Sequence, residues 1–113
     1  MEASDQLAFC RVTSLALLRL LTNAHVMGEA MLAGPEAWRA LETWYDSPRV
    51  VSLAEPAGLD EVFGRWAGDL DIRGGHWTDA YLAAFASASG CRLVTFDGNF
   101  GRFTGLSWLR LGD

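Results

Sequence analysis

The sequence predicts an α/β fold in which helices cover both faces of a short, mainly parallel sheet. Three observations predict it. Segments with helical periodicity alternate with short apolar runs along the chain. The run at 50–53 is continuously apolar rather than alternating, as a strand covered on both faces is. Finally, Asp79 stands at the mouth of an apolar helical segment and Asp97 at the end of an apolar strand-like one. An α/β sheet brings such positions into one crevice beyond the carboxyl ends of its strands.

The elements follow in order. Residues 7–12 read as a strand, leading into Ser14-Leu15-Ala16-Leu17-Leu18-Arg19-Leu20-Leu21, which is apolar almost all round and predicts a helix buried on most faces. Arg19 interrupts it and calls for an internal ion-pair partner or a route to solvent. Asn23 and Gly28 mark breaks, with a short helical turn expected around 29–32. Gly34-Pro35 opens the next helix, in which Trp38, Leu41 and Tyr45 recur at helical spacing, and Pro48 closes it. After Pro56, Leu59, Val62, Phe63 and Trp66 fall at i, i+3, i+4 and i+7, the spacing of an amphipathic helix. Residues 68–75 read as a loop. Thr78 is the expected cap of the helix that follows, placing Asp79 in its first turn on the side of Leu82, Ala83 and Ala86. Gly90 ends that helix, and strands are expected at 91–96 and 108–111.

Length and composition bound the function. At 113 residues, half of them hydrophobic, the chain is expected to be one domain, 1–113, with a core of its own. Nine basic against 14 acidic residues give a net charge of −5, which argues against a broad electrostatic surface for duplex DNA or an anionic membrane. All the basic residues are arginine, which grips phosphate as a fork where lysine acts as a point charge. Cys10 and Cys91 lie in apolar runs and read as free thiols rather than as a disulfide framework. With no signal-peptide pattern and no membrane-length apolar run, the expected compartment is the cytoplasm.

The stretches Phe9-Cys10-Arg11-Val12-Thr13, Leu18-Arg19-Leu20-Leu21-Thr22-Asn23, Trp77-Thr78-Asp79-Ala80-Tyr81-Leu82-Ala83-Ala84-Phe85-Ala86 and Leu93-Val94-Thr95-Phe96-Asp97 with Phe100 resemble the PIN-domain family, specifically the VapC-type ribonuclease toxins of toxin–antitoxin pairs. The resemblance implies a three-layer α/β/α PIN-like fold. It also implies a metal-dependent endoribonuclease that uses Mg²⁺ or Mn²⁺, with RNA as substrate, an antitoxin protein as partner, and a homodimer, in which exchange of elements between copies is one of the arrangements left open below. Asp79 and Asp97 look like two of the family's metal-binding acids, and Asn99 like the polar residue that often completes the site.

Two departures accompany the match. The family opens with a strand carrying an Asp, and this chain corresponds to a point after it, so the domain reads as truncated at its N-terminus and without the first acid. Where the family tends to place another acid, this chain has Ser14. The absent strand is central in the family's sheet. Its loss separates the strand pair at 7–12 and 50–53 from the pair at 91–96 and 108–111, leaving backbone groups on the inner edges to be satisfied. Direct closure of the halves, exchange between two chains and an upstream segment all remain open.

Carboxylates are hard ligands that are ionised at neutral pH, so Asp79 and Asp97, with Asn99 and with Thr95 or Ser14 as polar support, suit a cation that activates water for phosphodiester hydrolysis. Each acid also has a local job, Asp79 at a helix N-terminus and Asp97 in a turn. The thin acid set gives a second reading, a non-catalytic PIN-like protein that binds partners or dimerises. A small-molecule binding domain is a third, resting on fold analogy alone. Arg19, Arg102 and Arg110 are candidates for RNA or ion pairing, His76 for proton transfer, and the aromatics Trp38, Tyr45, Phe63 and Trp66 for the core.

Overall fold

A computed structural model of the chain describes residues 6–95 and 97–111. It divides into two compact units, Met1–Ala54 and Glu55–Asp113.

The first unit begins with strand β1 (Leu7–Phe9), followed by helix α1 (Arg11–Leu21). The expected strand therefore ends three residues early. The reason is local: the Cys10 N–H donates to Thr13 Oγ1 at 2.9 Å, and that hydroxyl donates to the Cys10 carbonyl at 3.0 Å. These two bonds close the first helical turn ahead of Ser14. Asn23 then caps helix α2 (Ala24–Met27), its side chain accepting from the His25 N–H at 2.8 Å, and a 3-10 turn follows at Gly28–Ala30. Helix α3 (Gly34–Tyr45) starts where Gly34-Pro35 predicts, with the Glu36 carboxylate accepting from the Ala33 N–H at 3.0 Å. Strand β2 (Val50–Ser52) pairs in parallel with β1 in the register Leu7 to Val50 and Phe9 to Ser52.

The core of this unit is small, made by Cys10, Ala37, Leu41 and Val50 with Ser14 among them. Ser14 and Tyr45 share a hydrogen bond of 2.6 Å between their hydroxyls, and the Tyr45 ring meets Phe9 edge-on at 6.2 Å. α1 buries only Ser14, while Leu15 and Leu20 stand exposed. This departs from the expected all-round burial, because α1 packs against α3, α2 and β1 and leaves the side chains of Leu15 and Leu20 uncovered. Trp38 is likewise 48% exposed rather than core. Arg19 takes the solvent route, exposed and without an ion pair among the described residues.

Tyr45→Phe is expected to destabilise the protein by about 1–3 kcal/mol, since it strands the Ser14 hydroxyl at a nearly solvent-free position. Removing both partners in Ser14→Ala/Tyr45→Phe should recover part of that loss. Urea denaturation of the single variants and the double one checks both statements.

The second unit is built on helices α4 (Leu59–Asp69) and α5 (His76–Ser89). Phe63 of α4 meets Trp77 and Tyr81 of α5 edge-on, each at 6.0 Å. Ala80, Ala83, Ala84 and Ala86 of α5 are buried, and their small side chains let neighbouring elements approach the helix closely. Gly90, at φ 70°, ends α5 in the left-handed conformation that glycine adopts without strain. Strand β3 (Leu93–Thr95) pairs in parallel with β4 (Trp108–Arg110), in the register Leu93 to Trp108 and Thr95 to Arg110. Phe96, the expected end of the third strand, lies outside the described residues. Between β3 and β4 a 3-10 helix, Gly98–Arg102, carries Phe100 into a core with Trp66, Phe103 and Leu106.

Among the described residues the strands form two separate two-stranded parallel sheets, β1 with β2 and β3 with β4. These are the two pairings set out from the sequence, 7–12 with 50–53 and 91–96 with 108–111. Val94 and Leu109 are exposed, so the second pair is not covered on both faces. Cys10 and Cys91 are free thiols, and among the described residues no helix is long and apolar enough to cross a membrane.

Candidate active site

α5 begins two residues before the expected cap. The N–H groups of His76, Trp77 and Thr78 donate to the carbonyls of Arg73, Gly74 and Gly75, so Thr78 sits inside the first turn and Gly75 takes the capping position. The turn uses Gly74 at φ 53°, a backbone conformation that side chains resist. Asp79 therefore lies in the first turn, where the helix dipole favours a negative charge. Its side chain is 27% exposed, and its Oδ2 lies 3.4 Å from Nδ1 of His76 one turn earlier. Asp79 is thus half-sheltered between the buried alanine face and solvent, with an imidazole beside it.

Asp97 stands just beyond β3. Its N–H donates to the Thr95 hydroxyl at 3.1 Å, and its Oδ1 accepts the Asn99 N–H at 2.9 Å. This is an Asx turn starting the 3-10 helix, chemistry that Asp-Gly-Asn at 97–99 advertises. The arrangement fixes the carboxylate relative to the backbone without consuming it. Oδ2 has no hydrogen bond among the described residues, and Oδ1 keeps a second lone pair.

Thr95, Asp97 and Asn99 are thus brought together in one turn, and His76 and Asp79 in one helical turn, all within the second unit. Asn99 enters through its backbone N–H while its residue as a whole is exposed. Ser14 belongs to a different set. Its hydroxyl is committed to Tyr45 in the core of the first unit, so its part is in packing. His25 is exposed on α2 and donates its N–H to Asn23. Sequence reasoning missed the Ser14–Tyr45 pair and the bond from the Tyr81 hydroxyl to Glu55 Oε2 at 2.7 Å, since neither partner spacing follows a local pattern.

The donor set can be tested against a divalent cation. Mg²⁺ takes six oxygens in octahedral geometry, Ca²⁺ more. Among the described residues, no three or more His, Cys, Asp or Glu side chains gather closely enough to hold an ion. Taken alone, these residues do not complete a metal centre.

No family model matches the chain. Ribonuclease VapC41 of Mycobacterium tuberculosis (strain H37Rv) is 41% identical over 114 residues, a match that spans 97% of this chain and 77% of that protein. The chain belongs to the VapC ribonuclease family. Ribonuclease VapC43 of the same strain is 30% identical over 91 residues, covering 80% of this chain and 61% of its own length. A chain in the structure of VapBC-1 from nontypeable Haemophilus influenzae shares the VapC-family fold, with a TM-score of 0.71 at 20% identity over 97% of this chain and 78% of that one. The PIN-like α/β architecture expected from the sequence is thereby established. About a quarter of the VapC41 relative lies outside the matched region.

Proposed function

We propose that the chain is a PIN-type toxin endoribonuclease in which Asp79 and Asp97 are two of the carboxylates that hold Mg²⁺ or Mn²⁺, with Asn99 beside them. The observation that carries this reading is the 41% identity to ribonuclease VapC41 along 97% of the chain. The placement of Asp79 at a helix start and Asp97 just past a parallel strand, both in the second unit, supports the choice of residues. RNA is then the substrate, the cytoplasm the place of action, and an antitoxin protein the partner that restrains it. The two acids supply only part of the coordination such a cation takes. Cleavage is therefore weak unless further ligands come from another segment or from a second copy in a homodimer with exchanged elements.

A second reading, a non-catalytic PIN-like protein that works by partner binding or dimerisation, is favoured by the incomplete donor set and by the exposed apolar side chains of Leu15, Leu20, Trp38 and Trp44. A labelled RNA of mixed sequence, incubated with the chain and Mn²⁺ and separately with EDTA, decides between them. Cleavage that EDTA removes is the expected result, whereas intact RNA in both tubes selects the binding reading.

A further inference from the structure

The 3-10 helix that follows Asp97 has an arginine at each end, and among the described residues neither guanidinium pairs with an anion. Arg102 is its last residue. Its guanidinium carbon lies 5.0 Å from the centroid of the Phe103 ring, and its Nε and Nη2 are both shut off from solvent without a hydrogen-bond partner. Leaving charged donors buried and unpaired is costly, and proteins keep such an arrangement where something else pays it back. Nε and one Nη form the side edge of the guanidinium, the pair of parallel donors that fits two oxygens of a carboxylate or phosphate. At the other end, Arg110 of β4 lies against Gly98. A Cβ on Gly98 would stand 2.9 Å from Arg110 Nη1 and 3.3 Å from its central carbon, so the guanidinium settles here because this residue has no side chain. Arg110 is exposed and makes no hydrogen bond or ion pair among the described residues.

We propose that Arg102 and Arg110 form an oxyanion site around the 98–102 turn that takes a phosphate group, and that in the working protein this is a phosphodiester of the RNA backbone. The identity of the phosphate as RNA rests on the nuclease reading above; the anion site does not. Arg102 waits folded over Phe103. An arriving phosphate draws it off the ring, exchanging a cation–π contact and two unsatisfied donors for a charge-assisted fork. The chain carries a net charge of −5, and Asp97 precedes the turn directly, so a polyanion needs local positive charge to settle there.

The test is thermal melting in EDTA, which keeps cleavage and metal out of the readout. Inorganic phosphate is titrated against sodium chloride of matched ionic strength, and a second titration uses a short single-stranded DNA that a ribonuclease leaves intact. The wild-type chain is expected to gain stability from phosphate or from the oligonucleotide beyond the chloride control, with Arg102→Met and Arg110→Met each weakening the apparent affinity about tenfold, the loss of one charge-assisted fork. Arg102→Lys, which keeps the charge but cannot make the fork, is expected to weaken it similarly and serves if the methionine variant does not fold. A response to the oligonucleotide, with or without one to inorganic phosphate, supports a site for the backbone; a response to inorganic phosphate alone identifies a site for the free anion and overturns the assignment to RNA. A wild-type response no larger than chloride gives, or a response that survives in the folded Arg102 variant, overturns the site. Either result leaves the Mn²⁺ cleavage assay to judge the nuclease reading separately.

Discussion

Asp97→Asn is expected to lower Mn²⁺-dependent RNA cleavage at least about 100-fold, the size of effect that follows when several kcal/mol of transition-state charge stabilisation is lost. The substitution separates chemistry from architecture. Asparagine retains the side-chain oxygen that accepts the Asn99 N–H at 2.9 Å, and asparagine starts Asx turns as readily as aspartate does. The fold should therefore stay within about 0.5 kcal/mol of the parent, as exposed substitutions away from special features do. Only the charge and its ligating power are removed. Cleavage rates for the variant and the parent, measured beside their urea midpoints, check both halves. A variant that cuts RNA as fast as the parent removes Asp97 from the catalytic assignment.

The largest loss of stability is expected from Phe103→Ala, at about 3–5 kcal/mol. Phe103 is 2% exposed, stacks at a tilt on Trp66 at 5.1 Å and meets Phe100 at 5.8 Å. Its ring joins α4 to the segment that carries Asp97, so alanine leaves a void between them and also takes away the surface on which Arg102 rests. Chemical denaturation followed by circular dichroism should show the midpoint falling sharply for Phe103→Ala, with Phe103→Leu intermediate. A change below about 1 kcal/mol would mean that this core is far looser than its packing implies.

What could be read from the residues depended on whether the deciding interactions are local. α3 and α4 were legible because proline and glycine punctuation and the 3.6-residue period are written in consecutive positions. The Asp97 turn was legible for the same reason, since Asx turns span three residues. The early start of α1 was not, because a single threonine hydroxyl decides it, and the early start of α5 was not, because a run of turn bonds through Gly74 and Gly75 outcompetes the Thr78 cap. Burial was misjudged for Trp38 and for most of α1. A hydrophobic stripe announces that a face seeks cover but not whether the chain supplies it. The acids were visible as residue types, whereas the position of His76 against Asp79 and of Arg110 against Gly98 required the folded chain.

The shortness of the two strand ladders also governs how their backbones meet deuterated solvent. Leu7 donates to Arg49 and Leu53 donates to Phe9, while Leu93 donates to Ser107 and Leu111 donates to Thr95. By alternation, Ala8 and Val94 direct their amides to the opposite edge of each pair. Isotope exchange at these two central positions is then gated by whatever lies along that edge, while the flanking amides are gated by opening of the ladder itself. One strand in each unit therefore carries a built-in reporter, slow when a neighbour is present along that edge and fast when it is gone.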